Sequence, residues 1–173
     1  VPDSKTDVYV GIDPGKDGAL VALDNKGTVV ASYMTKQDFT IGVGKGSKRE
    51  YLAPRMAYAI KCLSEKYNVR LVVLEKQHAM PGQGVTSMFS CGYGYGLWVA
   101  TVASFGIPLT EVRASAWIKS ILAGVPGTGK GRSIYAVTSR LPKLDLTPGA
   151  KRKPHDGLAD AACIAMYAIN LGV

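Results

Sequence analysis

Cysteine is scarce in this chain, and the three present, Cys62, Cys91 and Cys163, are odd in number, widely spaced and set in apolar or glycine-rich surroundings. That pattern argues against a disulfide framework or a zinc site and points to a reducing compartment. Long apolar runs are lacking too: 69–74 and 97–105 are too short or too interrupted to cross a bilayer, so no membrane span is expected. The chain opens at Val1 with neither a charged-then-apolar leader nor an Arg/Ser-rich presequence, so a targeting segment is expected to be absent or already removed. No repeat, low-complexity tract or linker interrupts the sequence. With 173 residues, 47% hydrophobic and 20% charged, it reads as one folded domain over 1–173 with a core of its own.

Acidic side chains are in deficit, 13 against 21 Lys and Arg, leaving a net charge of +8. Such a charge favours a polyanionic partner, nucleic acid first, through counterion release at phosphates. A basic surface that merely keeps the protein soluble explains the charge equally well.

Residues 7–13, 19–24 and 28–33 are short β-rich runs joined by Pro14-Gly15-Lys16-Asp17-Gly18 and Asn25-Lys26-Gly27, which predicts three consecutive antiparallel strands. Residues 35–50 carry Lys36, Lys45, Lys48 and Arg49 among glycines and read as an exposed basic loop. Leu52, Met56, Ile60 and Leu63 recur at helical spacing, with Pro54 tolerable in the first turn. Strands over 70–75 and 107–112 flank a helix over 90–105; helices over 114–122, 132–140 and 155–171 follow, with a loop over 141–154. A three-stranded antiparallel meander followed by parallel βα units gives an α/β fold, a mixed sheet with helices on both faces, as in ribonuclease H-like proteins.

Four acids stand out against this plan. Asp13 ends an apolar strand, where an ionised carboxylate is costly unless a cation or hydrogen bonds compensate it. Glu75 ends another, and the carboxyl ends of parallel strands are where ligands gather in open sheets. Asp156 and Asp160 are four apart on the last helix and share a face about one turn apart. Confined together, such carboxylates repel, and a hard divalent ion, Mg²⁺ with Mn²⁺ able to substitute, resolves the repulsion. A two-ion site would activate water and stabilise the leaving 3′ oxygen of a phosphodiester, giving 5′ phosphate and 3′ hydroxyl ends. Singly, each acid also has a plainer role: a turn starter at Asp13, a helix N-cap at Asp156, a solvated surface elsewhere.

Three segments in register, Gly11-Ile12-Asp13-Pro14-Gly15 with Gly18-Ala19-Leu20, Val73-Leu74-Glu75, and His155 to Ala161, resemble the RuvC-type Holliday junction resolvases across nearly the whole chain. Ser90 to Trp98, the preceding Gly-Gln-Gly, and the four-residue gap between the last two acids resemble the plastid branch (monokaryotic chloroplast resolvase) and its phage-like relatives; bacterial members usually place those acids three apart. The resemblance implies a homodimer making paired symmetric nicks in a four-way DNA junction. It also implies a plastid stroma or nucleoid location, with bacterial or phage-infected cytoplasm as the alternative, and cytosine-containing cleavage sites. It further implies that Lys119, in Trp117-Ile118-Lys119, or Lys130 orients phosphate or neutralises transition-state charge, with the choice between them open.

Gly124 to Lys130 imitates the start of a phosphate loop, but Gly131 stands where Ser or Thr is required and a helix precedes it, so no nucleotide cofactor is expected. Lys130 and Arg132, opening a helix after this loop, are instead candidates for holding a DNA phosphate, as is the run Lys151-Arg152-Lys153. The segment 77–89 follows Glu75 directly, and His78, Gln83, Met88 and Phe89 are placed to bond, stack or wedge at an opened junction. Core packing is the competing role for Met88 and Phe89. Competing functions are another ribonuclease H-like nuclease cutting RNA/DNA hybrids, a phosphate-loop ATP-binding protein, or a non-catalytic junction binder.

Overall fold

A computed structural model describes residues 5–46, 48–78, 82, 84–149 and 152–172. The predicted meander forms from β1 (Asp7–Asp13), β2 (Ala19–Asp24) and β3 (Val29–Met34), paired antiparallel. A short helix α1 (Thr35–Asp38) and a hairpin of β4 (Thr40–Gly42) and β5 (Arg49–Tyr51) follow. Then come α2 (Ala53–Lys66), β6 (Asn68–Glu75), α3 (Val85–Ser104), β7 (Leu109–Val112), α4 (Ala114–Ile121), α5 (Gly131–Arg140) and α6 (Asp156–Leu171). The main sheet runs β3-β2-β1-β6-β7, with β6 parallel to both β1 and β7. Among the described residues no helix is long and apolar enough to cross a membrane.

The central strands are apolar throughout because both faces are covered. Period-two alternation sends Val8, Val10, Ile12, Val72 and Leu74 into one core with Met56 and Ile60 of α2 and Trp98 and Val102 of α3. Tyr9, Leu71 and Val73 enter the other, with Trp117, Ala136, Val137 and the alanine-rich face of α6. Helix α6 lies unusually close to β1: a Cβ on Gly11 would sit 2.2 Å from the Ala165 nitrogen and 2.3 Å from the Ala161 oxygen. Only glycine permits that approach.

Two regions differ from the sequence expectation. In the basic segment 35–50, Arg49 ties the second strand of the hairpin to α1 and β4: its Nε donates to Thr40 Oγ1 at 2.7 Å and its Nη2 donates to the carbonyls of Lys36 at 2.7 Å and Thr40 at 3.1 Å. The pairing Thr40↔Tyr51 closes over an intervening glycine-rich stretch, and local pattern carries no signal for such a contact. Helix α3 starts at Val85 rather than Ser90, so Met88 and Phe89 lie on a helix, not in the preceding loop. Its glycines depress local helix propensity, and tertiary packing overrides them: Gly94 faces the Tyr51 ring, which a Cβ there would meet at 2.3 Å.

Candidate active site

Backbone register places the first two acids. Ile12 pairs with Leu74 across β1 and β6, so Asp13 and Glu75 are neighbours at the carboxyl ends of adjacent parallel strands. Alternation from Tyr9 and Gly11, and from Leu71 and Val73, directs both side chains to the face that α6 covers. The third acid arrives because α6 can dock there. A Cβ on Gly157 would lie 2.1 Å from the Asp17 oxygen, so glycine lets the first turn of α6 press onto the 14–18 turn and carry Asp160 to the strand ends. His155 caps this helix, its Nδ1 accepting from the Leu158 N–H at 3.0 Å, which leaves Asp156 as the first helical residue rather than the cap.

Asp13, Gly15, Lys130, Asp156, Gly157 and Asp160 help line one open hollow of about 220 Å³. Burial pushes the Asp13 carboxyl up to about 7; a hydrogen bond from the Gly15 N–H, at 3.2 Å, opposes this, and the charges of Glu75 and Asp160 add to it. Burial also raises Glu75, against bonds from Trp117 and Gln77 and with Asp160 adding to it. Burial raises Asp160 in turn, opposed by the buried Ser133 hydroxyl. Asp156 moves the other way, held in the ionised form by its hydrogen bond and ion pair with Lys130. The cluster is therefore three desolvated carboxylates that raise one another's proton affinity, plus one carboxylate already paired with a lysine.

These groups fit a divalent cation by donor chemistry. All are hard oxygen donors, and Asp13, Glu75 and Asp160 are raised first by burial and then by neighbouring carboxylate charge, both of which a bound cation would offset. Among the described residues no group of three or more His, Cys, Asp or Glu side chains is gathered closely enough to hold a metal ion.

The remaining candidates distribute unevenly. Lys130, at the start of α5, acts on Asp13, Asp156 and Asp160. Lys119 is exposed on α4 and makes no hydrogen bond or ion pair with the four acids among the described residues, while Trp117 on the buried side of the same helix donates its Nε1–H to Glu75 Oε2 at 2.7 Å. Arg132 turns inward, donating to the main-chain carbonyls of Leu122 and, at 3.3 Å, Val125. His78 is exposed and its charge bears on Glu75. Phe89 is 75% exposed and lies parallel to Tyr93, with centroids 6.3 Å apart, whereas Met88 is half-buried. Arg152 and Lys153 are exposed; Gln83 and Lys151 fall outside the described residues. The glycine-rich segment 124–131 joins α4 to α5, so a helix, not a strand, leads into it.

Sequence reasoning missed Trp117 as a partner of Glu75, Ser133 as a partner of Asp160, and a second hollow of about 570 Å³ that shares Lys16 with the first. That hollow is lined by Lys16, Lys48, Arg49, Tyr51, Phe89 and Tyr93 among others. Lys16 sits 5.7 Å from the centre of the Tyr51 ring and donates to the Arg49 carbonyl at 2.7 Å. The sequence places Trp117 on a helix over 114–122, and nothing local marks it as polar-partnered.

The fold that carries this site is the ribonuclease H-like α/β class, a mixed five-stranded sheet with helices on both faces. No family model matches the chain, and no curated protein does. Solved structures do match it. Thermus thermophilus RuvC in complex with a Holliday junction substrate superposes with a TM-score of 0.59 at 16% identity, covering 95% of this chain and 96% of that one. A second Thermus thermophilus RuvC structure gives 0.52 at 21% identity over 92% and 91%. The yeast mitochondrial Holliday junction resolvase Ydc2 gives 0.59 at 14% identity over 97% and 80%.

Proposed function

We propose that this protein is a divalent-metal-dependent DNA endonuclease that resolves four-way junctions. The observation that carries the reading is the convergence of Asp13, Glu75 and Asp160, desolvated and mutually coupled, at the strand ends of a fold shared with Holliday junction resolvases. These three carboxylates would hold Mg²⁺ or Mn²⁺, with Asp156 joining when Lys130 releases it. When bound, such ions lower the pKa of the attacking water and stabilise the leaving 3′ oxygen. Lys130 stands beside the acids, where its ammonium neutralises charge building on the scissile phosphate. The basic and aromatic hollow next to the site supplies phosphate contacts from Lys16 and Lys48 and stacking from Phe89 and Tyr93, the combination that binds unpaired strands.

A junction has two-fold symmetry and needs two nicks, so the active species is proposed to be a homodimer with one site per protomer. The plastid-like segment 90–98 and the four-residue acid spacing support a plastid location and a preference for cytosine-containing sites. A fluorescent fusion of the full-length protein and a library of junctions with permuted central dinucleotides test these two points.

The decisive experiment incubates the protein with a synthetic four-way junction and Mg²⁺ and reads the products on a denaturing gel. Paired, symmetry-related nicks with 5′ phosphate ends, abolished by Asp13→Asn while junction binding persists, are expected. Preferential cutting of an RNA/DNA hybrid, or cutting that survives Asp13→Asn, overturns the reading.

A further inference from the structure

We propose that Trp117 is a positioning residue whose indole N–H, donating to Glu75 Oε2 beside a second side-chain bond from Gln77, orients the Glu75 carboxylate toward the cation. The inference rests on the metal-dependent reading above.

The bond is 2.7 Å long, within the range of a hydrogen bond to a charged acceptor. Trp117 is only 3% exposed and packs in the core that holds Val73, Val112, Ile121 and Leu158. A side chain so enclosed holds its rotamer, and a carboxylate hydrogen-bonded to it inherits that order. Chain path brings the two residues together. Glu75 pairs with Val112 at the end of β7, the chain turns at Arg113, and one turn into α4 the ring of Trp117 comes over the strand end.

The donor's chemistry matters as much as its place. An arginine or lysine here would neutralise Glu75 and compete with a cation for it. A neutral indole orients the carboxylate without removing its charge, which is how outer-shell donors hold metal ligands. The other tryptophan provides an internal contrast. Trp98 lies in the opposite core against Phe39, with centroids 5.1 Å apart, and its Nε1 has no hydrogen-bond acceptor among the described residues.

Because the chain holds two tryptophans, its ¹⁵N spectrum contains two indole N–H signals, assigned by Trp98→Phe. Titrating Mg²⁺ into the wild-type protein is expected to shift the Trp117 signal saturably and leave that of Trp98 in place. If calorimetry records Mg²⁺ binding while the Trp117 signal stays put, the positioning role is overturned. Trp117→Phe keeps the ring in the core and removes the donor. It is expected to weaken Mn²⁺ binding, measured by calorimetry, about tenfold, with metal-free junction binding unchanged. Unchanged Mn²⁺ affinity in a folded Trp117→Phe protein sinks this proposal alone. A wild-type protein that binds neither ion sinks it together with the metal-dependent reading. Should Trp117→Phe not fold, the wild-type indole titration decides the matter.

Discussion

Lys130 Nζ is ion-paired with Asp156 Oδ2 at the hollow that Asp13 and Asp160 also line. The pair joins the start of α5 to the first residue of α6, and it separates Asp156 chemically from the three acids whose carboxyls are pushed up. The lysine is 75% exposed on its side chain, so its value lies in the site's charge rather than in holding the fold.

Lys130→Ala is accordingly expected to lower single-turnover junction cleavage by roughly a hundredfold and to change unfolding free energy by less than about 1 kcal/mol. Lys119→Ala, which removes an exposed cation with no bond to the acids among the described residues, should reduce cleavage less than Lys130→Ala. Parallel kinetics and urea titrations of the two variants check this, and the reverse order of effects would refute Lys130 as the charge-neutralising group.

Asp13 makes the metal-free protein sensitive to pH. Its folded carboxyl titrates near 7 against a reference of 3.8. Between those values the folded state keeps a proton that the unfolded state has released, so this group's contribution to stability falls as pH rises and stays reduced above about 7. Asp13→Asn keeps an acceptor for the Gly15 N–H and removes the charge. It should raise the metal-free unfolding free energy at pH 8 by on the order of 1–2 kcal/mol, allowing for water reaching the open site. Near pH 4 it should have little effect. Urea midpoints in chelator at both pH values provide the measurement, and saturating Mg²⁺ should erase the advantage.

Gly11→Ala places a methyl group against the backbone of α6, where Ala161 and Ala165 cannot yield by rotating a side chain. A destabilisation of about 1–3 kcal/mol or more is expected, with cleavage lost because α6 carries Asp160. Thermal melts combined with junction cleavage test it; a normal melt together with full activity would show that the helix does not rest on the strand here.

Phe89 and Tyr93 form an exposed stacked pair beside the site. Phe89→Ala should weaken junction binding by about 1–3 kcal/mol and leave the melting temperature close to that of the wild type, since the ring covers no core. Gel-shift titration at fixed salt, without metal, measures it, and wild-type affinity in that variant would exclude the ring from the interface.

The main elements were legible because β1, β2 and β6 are short, continuously apolar runs bounded by turn residues or a terminal acid, while the helices carry apolar residues at helical spacing. The acids were legible because an ionisable group at the end of an apolar strand is conspicuous. The β4–β5 hairpin and α1 were not, since Arg49 joins them through bonds to Lys36 and Thr40 that local pattern does not signal.

By itself, then, the sequence determined the order of the main-sheet strands and of the helices from α2 onward, the strand-end places of Asp13 and Glu75, and the one-turn spacing of Asp156 and Asp160, all of which follow from local pattern. The tertiary structure decided which acids differ: burial raised Asp13, Glu75 and Asp160, and the approach of α5 gave Asp156 to Lys130. It also decided that Arg132 turns to main-chain carbonyls and that a core tryptophan holds Glu75. Desolvation and through-space pairing depend on where helices dock, and no residue's neighbours in sequence specify that.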